Sequence, residues 1–312
     1  MRVDVSEIKS YRACKRSWLL SSRNRFHLRP RVTPSVFAFG TIFHEALHAM
    51  YMGSPLEKVM AMVTREMNPE TDTALLAMVP GYFENVLPYD LERYKVLDIE
   101  HQFSFEVPGV EDLNVCGSID MIALDIETNK VYGFEHKTAK AYRDDHFLWM
   151  DEQPRVYTIA LKHFVEAYNE KQMEKYHEEW DRWDAECQEP DLEPQKPIPV
   201  TLGGIYINEV KKLLRKFDYK RSLCVYPEDD LTNFMNGFFH TCVQCKTSVD
   251  TDDVAIPQPN YMGCKMCNFQ TICETYKYST LVEDVVLDEF SEEFVKRDSD
   301  HLDEKVERNV GE

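Results

Sequence analysis

Four side chains in three stretches could gather around one hard cation: His44 in FGTIFHEALHAM, Asp120 in NVCGSIDMIALD, and Glu135 with Lys137 in KVYGFEHKT. Side chains two apart on a strand share a face, so Glu135 and Lys137 project together. A four-residue turn at 126–129 would pair residue 125 with 130, which sets Asp120 directly across from Glu135. Two adjacent carboxylates beside a lysine repel and desolvate one another unless a cation joins them. Oxygen ligands of this kind suit Mg²⁺ or Mn²⁺. His44 sits on an amphipathic helical stretch, and Gln153 and Tyr157, four apart, share a helical face soon after the strand pair. Taken singly, each piece has a plainer reading, as a charged hairpin facing water or a core histidine with satisfied hydrogen bonds.

The cysteines make a second constellation. Cys14 stands alone near the start, and Cys264, Cys267 and Cys273 follow a C-x2-C-x5-C spacing near the end. This is a poor disulfide framework for 312 residues with nine cysteines. Four thiolates suit a [4Fe–4S] cluster, and a four-cysteine zinc site is the alternative with the same donors. Either would staple the first helix to the last segment. Cys242 and Cys245 lack a second pair and read as free thiols on a helix, while Cys116, Cys187 and Cys224 read as structural.

The elements that must hold these residues follow from periodicity. Residues 6–22 read as one helix with Ser6 as its N-cap, and 36–52, 55–67 and 72–86 as further helices. From residue 97 the period shortens to two, giving strands over 97–107, 114–125 and 130–138. Helix returns over 151–185, with a charged stretch at about 166–196 that looks inserted. A strand over 200–210 and a helix over 227–245 precede the cysteine-rich segment. The order suggests an α/β fold with a mixed sheet.

Composition sets the outer bounds. A hydrophobic fraction of 43% can build a real core, and the formal charge of −19 argues against indiscriminate polyanion binding. Residues 281–312 hold 12 acidic and 4 basic side chains, a net −8, and read as a separate acidic tail. Arg12, Lys15, Arg16, Arg23 and Arg25 crowd the N-terminus, and Lys211, Lys212 and Arg215 form a second basic run. These could be solvated faces or two edges of a groove that tracks phosphates.

The series G-x-x-x-H (Gly40 to His44), G-x-x-D (Gly117 to Asp120), E-x-K (Glu135 to Lys137) and Q-x-x-x-Y (Gln153 to Tyr157) resembles the RecB-like branch of the PD-(D/E)XK nucleases. With Y-x-x-C-x-x-S at Tyr11, Cys14 and Ser17, and the late cysteine triplet, it is similar to that branch's iron–sulfur subgroup. The subgroup includes CRISPR-associated adaptation nucleases, the AddB nuclease domain and phage exonucleases. The similarity runs over about residues 6–276. It implies a restriction-endonuclease-like α/β core in one domain over 1–280, with a [4Fe–4S] cluster on Cys14, Cys264, Cys267 and Cys273. His44, Asp120, Glu135 and the backbone carbonyl of His136 would ligate Mg²⁺ or Mn²⁺. Lys137 would orient or activate the attacking water, and Gln153 and Tyr157 would position DNA and the lysine. His136 departs from the family pattern, where an apolar or aromatic residue is usual; its ring should point away from the metal face toward a polar contact.

The function that follows is metal-dependent hydrolysis of DNA, with a preference for single-stranded ends implied by the resemblance, in phage DNA metabolism, repair or CRISPR-type processing. The sequence has no apolar signal core and no membrane-length apolar run, so a cytoplasmic location is expected, in the host if phage-encoded. The acidic tail could dock a protein partner or confer solubility. Two rivals stand beside this. HEALH, His44 to His48, fits the H-E-x-x-H pattern of a zinc metallopeptidase with Glu45 as base. It lacks the usual continuation and leaves Asp120, Glu135, Lys137 and the cysteines unexplained. The other rival is an inactive DNA-binding or assembly subunit.

Overall fold

A computed structural model describes residues 1–31, 35–186, 193–252 and 255–297. The chain opens with β1 (Arg2–Val3), α1 (Val5–Ala13), α2 (Lys15–Ser21) and β2 (Leu28–Pro30). Four helices follow: α3 (Ser35–Tyr51), α4 (Leu56–Glu66), α5 (Leu75–Asn85) and α6 (Leu87–Arg93). Three long strands come next, β3 (Tyr94–Glu106), β4 (Asn114–Asp125) and β5 (Lys130–Ala139). Then come α7 (Asp145–Met150), α8 (Glu152–Glu186), β6 (Thr201–Lys211), β7 (Tyr219–Cys224) and α9 (Glu228–Asp250). The chain ends in α10 (Tyr261–Lys265), α11 (Gln270–Tyr276), α12 (Glu283–Glu289) and β8 (Phe294–Lys296). The fold is mixed α/β, with a central mixed sheet flanked by helices. No helix among the described residues is long and apolar enough to cross a membrane.

The chain forms two compact units. One holds Met1–Ala38, Gln102–Ser118 and the segment from Thr232; the other holds Phe39–His101 and Ile119–Leu231.

In the second unit, β4 and β5 are antiparallel, β5 and β6 parallel, and β6 and β7 antiparallel. The hairpin register is the one the four-residue turn dictates: Asp125 pairs with Lys130 and Met121 with Phe134. The turn is held by Asp125, whose Oδ1 accepts the N–H groups of Glu127 and Thr128 at 3.0 Å each, while Asn129 takes φ 55°. Such an Asx turn gives the chain a local reason to reverse here. The apolar face of α3, with Phe43, Ala46, Leu47 and Met50, buries against Met121, Ala123, Phe134 and Val210 of the sheet. At about 25 cal/mol per Å² of buried apolar surface, this contact is the main force that fixes α3 on the strands.

In the first unit, the expected single helix over 6–22 is two. Asp4, not Ser6, caps α1, its Oδ1 accepting the Glu7 N–H at 2.8 Å. Cys14 then takes an extended conformation, φ −163° and ψ 111°, and separates α1 from α2. Residues 281–297 do not form a detached tail. They build α12 and β8, β8 pairs antiparallel with β2, and Leu281, Val286, Phe290 and Phe294 join a core with Leu19, Leu20, Phe26 and Leu28. Acid-rich composition hid an apolar spacing that one packed helix and strand require. The rest of the expected tail lies outside the described residues. The charged stretch from 166 continues α8 as one 35-residue helix to Glu186, and residues 187–192, with Cys187, lie outside the described residues.

Candidate metal centre

Helix α3 brings His44 close to the acids of β4 and β5. His44 Nδ1 lies 3.5 Å from Asp120 Oδ1. The other Asp120 oxygen, Oδ2, accepts the backbone N–H of His136 at 2.7 Å. The ladder between β4 and β5 ends at Met121 and Phe134, the residues next to Asp120 and Glu135. Glu135 Oε1 accepts from Lys137 Nζ and, at 2.9 Å, from Gln153 Nε2. The same amide nitrogen donates to Tyr157 Oη at 2.9 Å, so both hydrogens of one NH₂ group are used. The structure therefore brings together His44, Asp120, Glu135, Lys137, Gln153 and Tyr157, all within the second unit.

The electrostatics are those of a site with excess negative charge. Burial, then the charge of Asp120, pushes the Glu135 carboxyl up to about 6. Burial acts the same way on Asp120, but His44, His136 and Lys137 outweigh it and hold this carboxyl low. Burial opposes charge on His44 and on Lys137 as well. The neighbouring carboxylates overcome it, so both pKa values are raised. Glu135 Oε2 is buried with no hydrogen-bond partner. A buried carboxylate oxygen without a donor is costly, and a cation is the usual remedy. The donor set of carboxylates and one imidazole fits a hard divalent ion.

One residue of this site was missed in the sequence. Glu100, on β3, joins His44 and Asp120 with ligand atoms all within 4.8 Å of one another. In an alternating strand a glutamate reads as a solvent-facing residue. Here Glu100 takes φ 55°, and both it and its neighbour Ile99 line the small cavity beside His44 and Asp120. No sequence signal marks that conformation, because non-glycine residues adopt it only when their surroundings impose it.

His136 has the expected polar contact, but its ring does not point away from the metal ligands: it borders the small cavity that His44 and Asp120 line, a correction to its expected direction. The ring stacks on Tyr51, centroids 6.1 Å apart, and meets Asn208 Nδ2 through Nδ1 at 3.2 Å. Asn208 Oδ1 accepts from Arg221 Nε at 2.8 Å and from Tyr219 Oη at 3.2 Å. Its NH₂ must then face His136, which makes Nδ1 of His136 the acceptor. Arg221 in turn makes a two-pronged contact with Asp90, 2.7 Å on each arm. Burial lowers the His136 pKa to about 4, so the ring is neutral.

The four cysteines singled out in the sequence all lie in the first unit and line one cavity of about 650 Å³. Cys14 is placed there by the break between α1 and α2, and its Sγ accepts the Gln258 N–H at 3.4 Å. Among the described residues, the one set of three or more ligand atoms within 4.8 Å is that of His44, Glu100 and Asp120. Four thiols around one cavity suit either a four-cysteine zinc site or an iron–sulfur cluster. Cys242 and Cys245 are buried and free on α9.

The basic residues are placed less simply. Arg16 is 1% exposed and donates to the carbonyls of Ala255, Lys277 and Ser279 at 3.1, 2.6 and 2.7 Å. It is a structural clamp with no face for a phosphate, a correction to its expected role. Arg12 donates to Thr241, Arg23 pairs with Asp4, and Arg25 pairs with Asp252. Lys15 lies over Tyr11, Lys211 pairs with Asp218, and Lys212 lies over Phe39. Arg215 is exposed.

The chain matches the PD-(D/E)XK nuclease superfamily over residues 2–274, and it belongs to that family. Its class is that of metal-dependent nucleases, and among the described residues the His44, Glu100 and Asp120 group is a metal-competent cluster. The metallopeptidase alternative is not favoured, because His44 is grouped with two carboxylates and not with His48. Among solved structures, one titled "Crystal structure of SSO0001" is similar at 13% identity, covering 81% of this chain and 91% of that one, with a TM-score of 0.30. No curated protein matches.

Proposed function

We propose that this protein is a metal-dependent DNA exonuclease acting on single-stranded ends, with an iron–sulfur cluster as a structural staple. His44, Asp120, Glu135 and the His136 carbonyl would hold Mg²⁺ or Mn²⁺. When bound, that ion would supply Lewis-acid polarisation of the phosphate and a more acidic attacking water. The chain's own residues do the rest. Lys137, kept cationic by Glu135, offers N–H donors to a water or to the charge that grows on a phosphate oxygen. Gln153 fixes the Glu135 carboxylate, and Tyr157 takes the second hydrogen of the same amide. The His136 N–H fixes Asp120. Cys14, Cys264, Cys267 and Cys273 would ligate a [4Fe–4S] cluster in the cavity they share. The setting would be phage DNA metabolism, recombination and repair, or CRISPR-type processing, in the cytoplasm.

The observations that carry this reading are the His44–Asp120 and Glu135–Lys137 contacts, linked by the hydrogen bond of Asp120 to the backbone between Glu135 and Lys137, with an orphaned buried oxygen on Glu135. The exonuclease and single-strand preferences rest on the resemblance alone. The test is digestion of end-labelled single- and double-stranded oligonucleotides with Mn²⁺ or Mg²⁺. Progressive shortening from an end, abolished by Glu135→Ala and by Lys137→Ala, is the expected result. Binding without cleavage in the wild type would instead leave an inactive DNA-binding subunit.

A further inference from the structure

Glu100 lies outside every motif of the resemblance, yet it is one of three side chains whose ligand atoms converge. His44 from α3, Glu100 from β3 and Asp120 from β4 place a nitrogen and two carboxylate oxygens within 4.8 Å of one another. They line a cavity of about 10 Å³, which has room for one water or one ion. Three different elements contribute, so this is not a run of neighbouring acids on one surface. A second observation points the same way. Glu135, near this group, is 3% exposed and keeps one buried oxygen without a donor. Lys137 is the one amine among the named partners of these acids, and it is already engaged by Glu135. Three carboxylates, one lysine and one imidazole leave a net negative charge that a divalent ion would compensate.

We propose that Glu100 is a further ligand of the divalent cation in this centre, reaching it from β3 beside His44 and Asp120. The assignment rests on the nuclease reading only for the presence of a cation at this face. Glu100's role follows from its place in the cluster. Glu100 takes φ 55° within β3, a backbone conformation uncommon for a non-glycine residue, at the position where its carboxylate joins the cluster. A fourth protein side chain on the ion leaves fewer positions for water, so the ion is held more tightly than three would hold it.

The experiment is Mn²⁺ titration of the full-length protein without DNA, following free Mn²⁺ by electron paramagnetic resonance. Wild type, Glu100→Gln and Glu135→Gln are compared, with unfolding curves taken in chelator as a control on the fold. Glu100→Gln should weaken Mn²⁺ binding at least tenfold and leave the metal-free unfolding curve in place. Unchanged Mn²⁺ affinity in Glu100→Gln would overturn the proposal. Should that variant fold poorly, Glu100→Asp replaces it. The shorter carboxylate should bind Mn²⁺ more weakly than wild type, and wild-type affinity there would overturn the proposal equally. The two readings fail separately. A wild type that binds Mn²⁺ through Glu100 but cuts no DNA sinks the nuclease reading alone. A wild type that cuts DNA while Glu100→Gln binds Mn²⁺ normally sinks the Glu100 assignment alone.

Discussion

The backbone N–H of His136 donates to Oδ2 of Asp120 across 2.7 Å, so the middle residue of the E-x-K segment holds the acid of the neighbouring strand. The other oxygen of that acid faces His44 at 3.5 Å. Each oxygen thus has one assignment, and an amide cannot serve both. In Asp120→Asn the NH₂ would confront either the His136 N–H or the cation. DNA cleavage should fall at least about a hundredfold, near 3 kcal/mol of lost transition-state stabilisation. Digestion of an end-labelled oligonucleotide measures it, and activity within tenfold of wild type would remove Asp120 from the centre.

Neutral His136 predicts an acid limb in stability. Its pKa is about 4 in the fold against 6.5 when exposed. A depressed pKa contributes stability that is fully present above 6.5 and is lost as pH falls toward 4. The drop is about 3 kcal/mol for a shift of this size. His136→Phe, which keeps an aromatic ring against Tyr51, should flatten that limb between pH 6.5 and 4. Urea unfolding in chelator at a series of pH values checks it; an unaltered slope would mean the titrating group is elsewhere.

Gln153 and Tyr157 should not be equivalent. Gln153 touches Glu135 directly at 2.9 Å, while Tyr157 shares only the second hydrogen of the same amide. Gln153→Ala releases the carboxylate and should lower kcat by ten- to a hundredfold, the range expected when a positioned group loses its support. Tyr157→Phe should cost less than tenfold. The reverse order, read from single-turnover digestion, would show that Tyr157 meets the DNA itself.

Much of this centre was legible before the fold. The turn at 126–129 set the pairing of 125 with 130, and local geometry decided it, so sequence could reach it. The ladder ends at Met121 and Phe134, and Asp120 meets the other strand through the His136 N–H instead. Glu100 was hidden because nothing local marks it: it takes a left-handed conformation inside a strand, which tertiary packing imposes. The break at Cys14 was hidden for the same kind of reason: helical spacing continues through it, and only the backbone shows the interruption. Strand β7 was hidden by composition, since YKRSLC carries two basic residues and little apolar alternation. Arg221 is in fact turned inward on Asp90.

Removing the proposed cluster should affect the first unit. Cys267→Ser should bleach the visible absorbance of anaerobically purified protein and lower its melting temperature, because a bound group that favours the folded state stabilises by mass action. A wild type that is colourless and carries zinc by elemental analysis would replace iron–sulfur with the four-cysteine zinc alternative.

Arg16 supplies the sharpest contrast between a basic residue that binds DNA and one that builds the fold. Its guanidinium is 1% exposed and donates to three carbonyls, of Ala255, Lys277 and Ser279, that bracket the late cysteines in the chain. Arg16→Met would leave those oxygens without donors, a loss of roughly 3–5 kcal/mol by the cost of breaking a buried charged network. Salt-dependent DNA binding measures the other possibility, since each phosphate contact adds nearly one to the slope of log affinity against log salt. For Arg16→Met the melting temperature should fall while that slope stays at the wild-type value. A slope reduced by about one, with stability unchanged, would return Arg16 to the DNA-binding surface.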